Sequence, residues 1–464
     1  MAQYYNAGER KNRPGTYFRY ENRGKASTVG TTANSVAVPI QSNWGPFEVT
    51  VHESATSVIS AYGAEGTTID AALALFEGGA PKVYCVRLGS ESAAEKATLK
   101  LGDNINIEAK YAGTKAIKVQ VRVKVEGASK ELVVYDGDTK VESFPFVIGG
   151  NEAASLVAAV KGSAYITATT TAENENTVAV ADATVLAGGS DPSVSTASYS
   201  EALTKLEPYK FTHIILDTVE TAVQTLLTTW LGRVFEDGKL CVGIFGGNNS
   251  TDDFATKLSA ALALNDMKCI RYGDYGKDAD GNVVDGYKMA ALVAGAIADT
   301  PSNESIVHKT VPGIVSIEPH TNGEYESAIA AGLLLASYSA SGAIWFDSGV
   351  NTLTNLDANE DEGFKKIRRV ATRFELINRI DEALAPLVGR VNCDNDGIAL
   401  AVERGQGVIN AMIAEGKLKE GSEFYEDTEN PHEGDSAWFV IAADDYDSLE
   451  KIYQKYAFRF SSNS

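Results

Sequence analysis

From residue 199 onward, short apolar runs alternate with segments of helical period, and that order restricts the chain to an α/β layer. Runs at 211–217, 240–246, 268–274 and 343–347 read as buried strands. Between the first two, Val223, Leu227, Trp230, Leu231 and Val234 recur at helical spacing, as do Phe254, Leu258 and Leu262 after the second. Strands joined through helices pair in parallel, so a largely parallel sheet is expected. The same texture occurs earlier, with an apolar run at 35–40, an alanine-rich helix near 69–76 and a strand at 82–88. The stretch in between differs: Ile117, Val119, Val121 and Val123 alternate with polar residues, and Asp136-Gly137 and Gly149-Gly150 mark turns. The expected fold is therefore α/β and multidomain. An N-terminal arm (1–24) precedes a discontinuous α/β core domain (25–95 and 191–350) interrupted by a mostly β insertion domain (96–190). A C-terminal α+β domain (351–464) follows, with a long helix near 360–387, Asp396-Gly397, a second helix near 408–415, a strand at 438–442, a short helical stretch and a terminal strand.

Both chain ends read as free strands. After Gly15, the residues Thr16, Phe18 and Tyr20 alternate with Tyr17, Arg19 and Glu21, and Tyr456, Ala457, Phe458, Arg459 and Phe460 alternate in the same way. Chain ends stay loose unless a sheet ties them down. Alternation alone leaves two partners open, a sheet of the same subunit or one in another copy.

Charge narrows the partners. The 464 residues carry 41 Lys and Arg against 62 Asp and Glu, a net of −21, which argues against general affinity for nucleic acid or for an anionic membrane. The longest apolar and small run, 289–298, is too short to cross a bilayer, so no direct membrane insertion is expected. The first residues lack the apolar core of a signal peptide, which makes the cytosol the expected site of synthesis. Cys85, Cys241, Cys269 and Cys393 are far apart and form no CxxC; the first three sit in strand-like runs and read as buried free thiols.

No P-loop, GxGxxG, HExxH or GxSxG occurs, and no two of the five histidines stand three or four residues apart. Asp278-Ala279-Asp280-Gly281 fails as a calcium loop, because Gly276 takes its first ligand position and Tyr287 its last; a hairpin turn is the better reading. Asp217, Gly246 to Asn249, Asp274 and Asp347 fall at the carboxyl ends of the α/β strands, where such sheets bind ligands. Carboxylates there could hold a magnesium ion for phosphoryl chemistry. The plainer reading has Asp217 and Asp274 ending strands and Ser250 or Thr251 capping the next helix.

One basic feature stands against the acidic background. After Asp361, apolar Phe364, Ile367, Val370, Phe374 and Ile377 recur every three or four residues, while Lys365, Arg368, Arg369 and Arg379 project mainly from the other side. Lys366 and Arg373 lie at the border. The strip is either a solvated face, with Glu362 paired to Lys366 and Glu375 to Arg379, or a docking surface for an acidic partner.

Several pieces carry a family likeness: Arg13-Pro14-Gly15-Thr16-Tyr17; Val36 to Ile40 followed by Trp44-Gly45-Pro46; Gly78-Gly79-Ala80-Pro81-Lys82-Val83 and on to Arg87; the arginine-rich helix; Gly389-Arg390-Val391-Asn392; and the closing strand. In these the chain resembles a contractile tail sheath protein of the simple type found in myophages and phage-tail-like particles. The resemblance implies a structural, non-enzymatic subunit without cofactor or metal. It implies self-association into stacked hexameric rings around an inner tail tube protein, with baseplate and tail terminator proteins as further partners. Such a sheath is held extended in a metastable state and contracts without nucleotide hydrolysis, in a virion or tail-like particle assembled in the bacterial host cytoplasm. Gly15 to Glu21 and Tyr456 to Phe460 would then be inter-subunit strands, the insertion would face outward, and Lys365, Lys366, Arg368, Arg369 and Arg373 would meet the tube. Charge reversal at Lys365, Arg368 and Arg369 is expected to abolish assembly on tubes while sparing the fold. Two rivals remain at this stage: a metal-dependent α/β hydrolase using the strand-end aspartates, and another virion protein such as a capsid or baseplate component.

Overall fold

Seven strands form the central sheet of the protein, in the order Leu333–Leu334, Cys269–Tyr272, Val242–Phe245, His213–Ile215, Val36–Ile40, Val83–Arg87 and Thr50–His52. The computed structural model describes residues 3–4, 17–18, 34–63, 68–124, 127, 129–170, 177–358 and 360–458. The chain divides into two units, one of residues 33–374 with 445–464 and one of residues 375–444 with 1–32.

In the first unit, six strands run parallel and the Thr50–His52 strand closes the sheet antiparallel. His213 pairs with both Val36 and Val242, so strands from before and after the 98–185 region share one sheet. All five residues of Val36–Ile40 are buried, as expected for a parallel strand covered on both faces. Helices Ile69–Glu77 and Gly286–Ala298 contribute Leu75, Met289 and Leu292 to one core, and helices Thr196–Leu206 and Thr221–Glu236 contribute Leu203, Leu227 and Leu231 to the other. Burying each such side chain stabilises by about 1.5–3 kcal/mol. Two glycines permit the close approach on the first face: a Cβ on Gly295 would lie 2.3 Å from the Leu75 carbonyl oxygen, and one on Gly78 would lie 2.4 Å from that of Leu292.

Strands between 98 and 185 form a four-stranded antiparallel sheet, a three-stranded one and the helix Glu152–Val160, around Ile107, Val119, Leu132, Leu156 and Ile166. The buried Glu152 carboxylate accepts from Lys130 Nζ at 2.8 Å and from the Val178 and Gly149 amides at 2.7 and 3.1 Å, which offsets its desolvation. Arg87, 1% exposed, donates to the carbonyls of Ser42, Gly45 and Ala112 and stacks over Phe47 at 4.3 Å. It holds the 42–45 loop through two of these backbone contacts and reaches the 98–185 region through the third, at Ala112, none of which an apolar residue could make.

Three expectations need correction here. Residues 343–347 are not a strand of the main sheet. Ile344–Phe346 forms a separate hairpin with Ala336–Tyr338, and the sheet edge is Leu333–Leu334, too short to show a period. Asp396-Gly397 is the first turn of a helix, Asn395–Ala414, capped by Asp394 accepting from the Gly397 amide at 2.9 Å. Glycine stands there because a Cβ would lie 1.9 Å from the Asn392 carbonyl oxygen. Finally, residues 446–458 do not hold the short helix, and among the described residues no strand pairs with Tyr456, Ala457 or Phe458.

In the second unit, the Asn395–Ala414 helix packs on the antiparallel pair Glu423–Glu426 and Phe439–Ala442 around Leu376, Ile380, Val408, Ile409, Met412, Leu418 and Phe424. Arg379, 1% exposed, is matched by Glu375 at 2.5 Å and Glu415 at 2.8 Å, so it belongs to this interior and not to a solvated strip.

Candidate assembly site

The basic strip begins in a 3-10 turn, Glu362–Lys365, which Asp361 caps by accepting from the Gly363 amide at 2.7 Å. The turn aligns the helix Ile367–Leu384 so that Lys366, Arg368, Arg369 and Arg373 meet residues 445–450. Asp445 is the centre, 6% exposed. It accepts from Arg369 through both carboxylate oxygens, at 2.9 and 2.5 Å, and from Arg373 at 3.2 Å. Arg373 also reaches Asp361 at 2.9 Å and lies over the Phe364 ring at 4.1 Å. Lys366 sits between Asp447 at 2.9 Å and Glu450 at 2.8 Å, and Arg368 Nη1 donates to Ser448 Oγ at 2.9 Å. Lys365 pairs within its own turn, with Glu362 at 3.1 Å.

Burial pushes the Asp445 carboxyl up, but hydrogen bonds from Arg369 and Arg373 outweigh it and hold the group below the usual carboxylate range. Lys366 is held above its ordinary value: burial lowers it, and Glu450 and Asp447 more than compensate. The helix therefore acts as a clamp for residues 445–450, and Lys365, Lys366, Arg369 and Arg373 are neutralised within the chain. This changes two expectations. Glu362 pairs with Lys365 instead of Lys366, because the first turn is 3-10. Charge reversal at Arg369 would set a carboxylate against the buried Asp445, and at Arg368 would bury another beside Ser448, so it no longer leaves the fold untouched.

Beyond the clamp the chain is bare. Leu449, Ile452, Tyr453, Tyr456 and Phe458 are 69–90% exposed, an apolar series carried by one segment without strand partners among the described residues. Of the C-terminal arm, Tyr456, Ala457 and Phe458 are exposed and outside any helix or strand, and Arg459 and Phe460 lie outside the described residues. Of the N-terminal arm, Tyr17 and Phe18 pair in parallel with Gln3 and Tyr4, while Gly15, Thr16, Arg19, Tyr20 and Glu21 lie outside the described residues.

The strand-end carboxylates have local partners instead. Asp217 accepts from Thr68 Oγ1 at 2.5 Å and from the Tyr199 hydroxyl at 2.7 Å, and Asp274 bonds His320 Nε2 at 2.6 Å and the Ala336 amide at 2.7 Å. Asp253, not Ser250 or Thr251, caps the helix Phe254–Leu262. Asp278 accepts from the Asp280 and Asn282 amides and closes the hairpin of Gly276–Lys277 and Val283–Val284. No group of three metal-binding side chains occurs among the described residues.

Residues 192–352 match the family described as phage tail sheath protein central domain. Over those residues the chain is similar to a phage tail sheath central domain. A tail sheath protein of Clostridium phage phiCD119 is 26% identical over 179 residues, 39% of this chain; the match spans about half of that relative, 46% of its length. The sheath tail protein of Desulfitobacterium hafniense superposes with a TM-score of 0.70 at 19% identity, over 93% of this chain and all of that one. The helical sheath of the anti-feeding prophage in its contracted state superposes at 0.55, with 11% identity, over 96% of this chain and 99% of that one. The sheath resemblance read from the sequence and its α/β class are both borne out.

Sequence reasoning found the cations of the clamp and missed its anions. Asp444, Asp445, Asp447 and Glu450 form an acidic cluster just before an apolar, basic tail, and that reversal of charge within 16 residues was the available signal.

Proposed function

We propose that the chain is the structural subunit of a contractile tail sheath. The observation that carries this reading is the extent of the likeness: sheath proteins match 93% and 96% of the chain, far beyond the central domain alone. In this reading copies form stacked hexameric rings around an inner tail tube protein, bounded by baseplate and tail terminator proteins, in a virion or tail-like particle built in the host cytoplasm. The rings are held in a metastable extended state, and contraction releases that energy without nucleotide hydrolysis. The insertion, residues 96–190, faces outward. Gly15 to Glu21 and Tyr456 to Phe460 add strands to neighbouring copies, each strand contributing about five backbone hydrogen bonds at roughly 1 kcal/mol net.

The tube-facing surface is the 3-10 turn and following helix that carry Lys365, Lys366, Arg368, Arg369 and Arg373. Because its cations hold residues 445–450, an acidic tube that competed for them would loosen the base of the C-terminal arm at the same time. Sedimentation velocity of three proteins tests the arms: the full chain, one lacking residues 1–22 and one ending at residue 448. Oligomers from the full chain with monomers from both truncations are expected; truncations that assemble like the full chain would remove the arms from the account.

A further inference from the structure

The strand Glu423–Glu426 has one neighbour, Phe439–Ala442, and its other edge borders a cleft of about 560 Å³ lined by Gln406, Asn410, Ile413, Glu420, Glu423 and Phe424. Among the described residues no strand occupies that edge. Its backbone groups are nevertheless engaged. Gln406 Oε1 accepts from the Phe424 amide at 2.8 Å, and Gln406 Nε2 donates to the Ser422 carbonyl at 3.4 Å. Residues 422 and 424 are two apart, so their outward N–H and C=O are the groups an added strand would bond. A single carboxamide, with one acceptor and a donor pair, reproduces that pairing. Asn410 Oδ1 holds it there, accepting from Nε2 at 3.0 Å one turn along the helix. The edge is also brought close to the helix: a Cβ on Gly405 would lie 2.5 Å from the Phe424 ring.

We propose that Gln406 is a built-in placeholder on the open edge of the Glu423–Glu426 strand, displaced when the C-terminal segment of a second copy adds there. The proposal rests on the strand-adding reading of the arms and goes further by naming the edge and the group that guards it. An open edge invites indiscriminate pairing, and a side chain that occupies its hydrogen bonds is one means of blunting it. Charge selects the occupant. After Glu450 the tail carries Lys451, Lys455 and Arg459 and no acid, whereas the receiving stretch carries Glu420, Glu423, Glu426, Asp427 and Glu429. Its exposed Ile452, Tyr453, Tyr456 and Phe458 supply the apolar side chains that a cleft beside Ile413 and Phe424 would cover.

The test is fluorescence anisotropy of a labelled peptide of residues 449–464 titrated with the full chain, wild type beside Gln406→Leu, at concentrations where both are monomeric. Removing the competitor is expected to tighten binding about tenfold, two modest hydrogen bonds being no longer displaced. Gln406→Ala, with the same expectation, serves if the leucine variant melts below wild type. Equal affinity for wild type and variant overturns the placeholder while leaving strand addition at this edge intact. Weaker binding by the variant makes Gln406 part of the receptor and overturns it too. A peptide of residues 13–23 binding in place of 449–464 overturns the choice of occupant. No binding of either peptide overturns the edge itself, while sheath formation is judged separately by microscopy.

Discussion

His213 and Asp217 flank one strand and pull stability with pH in opposite directions. Burial pushes the His213 imidazole down to about 4, so this group withdraws stability as pH falls from its ordinary 6.5. Burial pushes the Asp217 carboxyl up to about 6 against the hydrogen bonds of Thr68 and Tyr199, so this group withdraws stability as pH rises from 3.8 toward 6. Between pH 4 and 6 each slope is about 1 kcal/mol per unit, and they cancel. Asp217→Asn therefore leaves the histidine unopposed: its melting temperature should fall more steeply than wild type on acidification from pH 6 to 4. Parallel melting profiles would mean that Asp217 titrates normally. Residue-level partners of this kind were not legible in the sequence. Asp217 was found as a strand-end acid, but Thr68 and Tyr199 lie 149 and 18 residues away, and only the folded sheet brings them to it.

At the scale of elements, the clamp on residues 445–450 couples a helix to the segment that leaves it. Asp445 is the acceptor for two arginines, and hydrogen bonds to charged groups contribute about 1.5–3 kcal/mol each. Asp445→Asn should raise amide hydrogen exchange in 445–450 at least tenfold with the α/β sheet unchanged; unaltered exchange there would show that packing alone holds the segment. Strong periods made most elements readable. The helix at 69–77 and the strands at 83–87, 213–215, 242–245 and 269–272 all carry runs of buried apolar residues. What escaped were elements set by backbone approach or by length. Gly397 looks like a turn residue and begins a helix, and Leu333–Leu334 is only two residues long. The tail after Glu450 has strand-like alternation but, among its described residues, no ladder, because alternation specifies a face and not a partner.

For the whole molecule, the order of strands and helices was enough for the α/β class, and the scattered motifs around Gly15, Trp44 and Arg87 were enough for the sheath likeness. The candidate site was half legible for a physical reason. A run of cations on one helix face shows in sequence, whereas, Asp361 and Glu362 apart, the acids that neutralise it come from 72 to 84 residues further on. The account as a whole stands on assembly, with arms free to leave one copy and enter the next. Its most direct test is negative-stain electron microscopy of the full chain, alone and with its inner tube protein. Helical tubes built from six-fold layers, lost when residue 449 onward is removed, are the predicted result. Dispersed monomers from the full chain in both conditions would contradict the account.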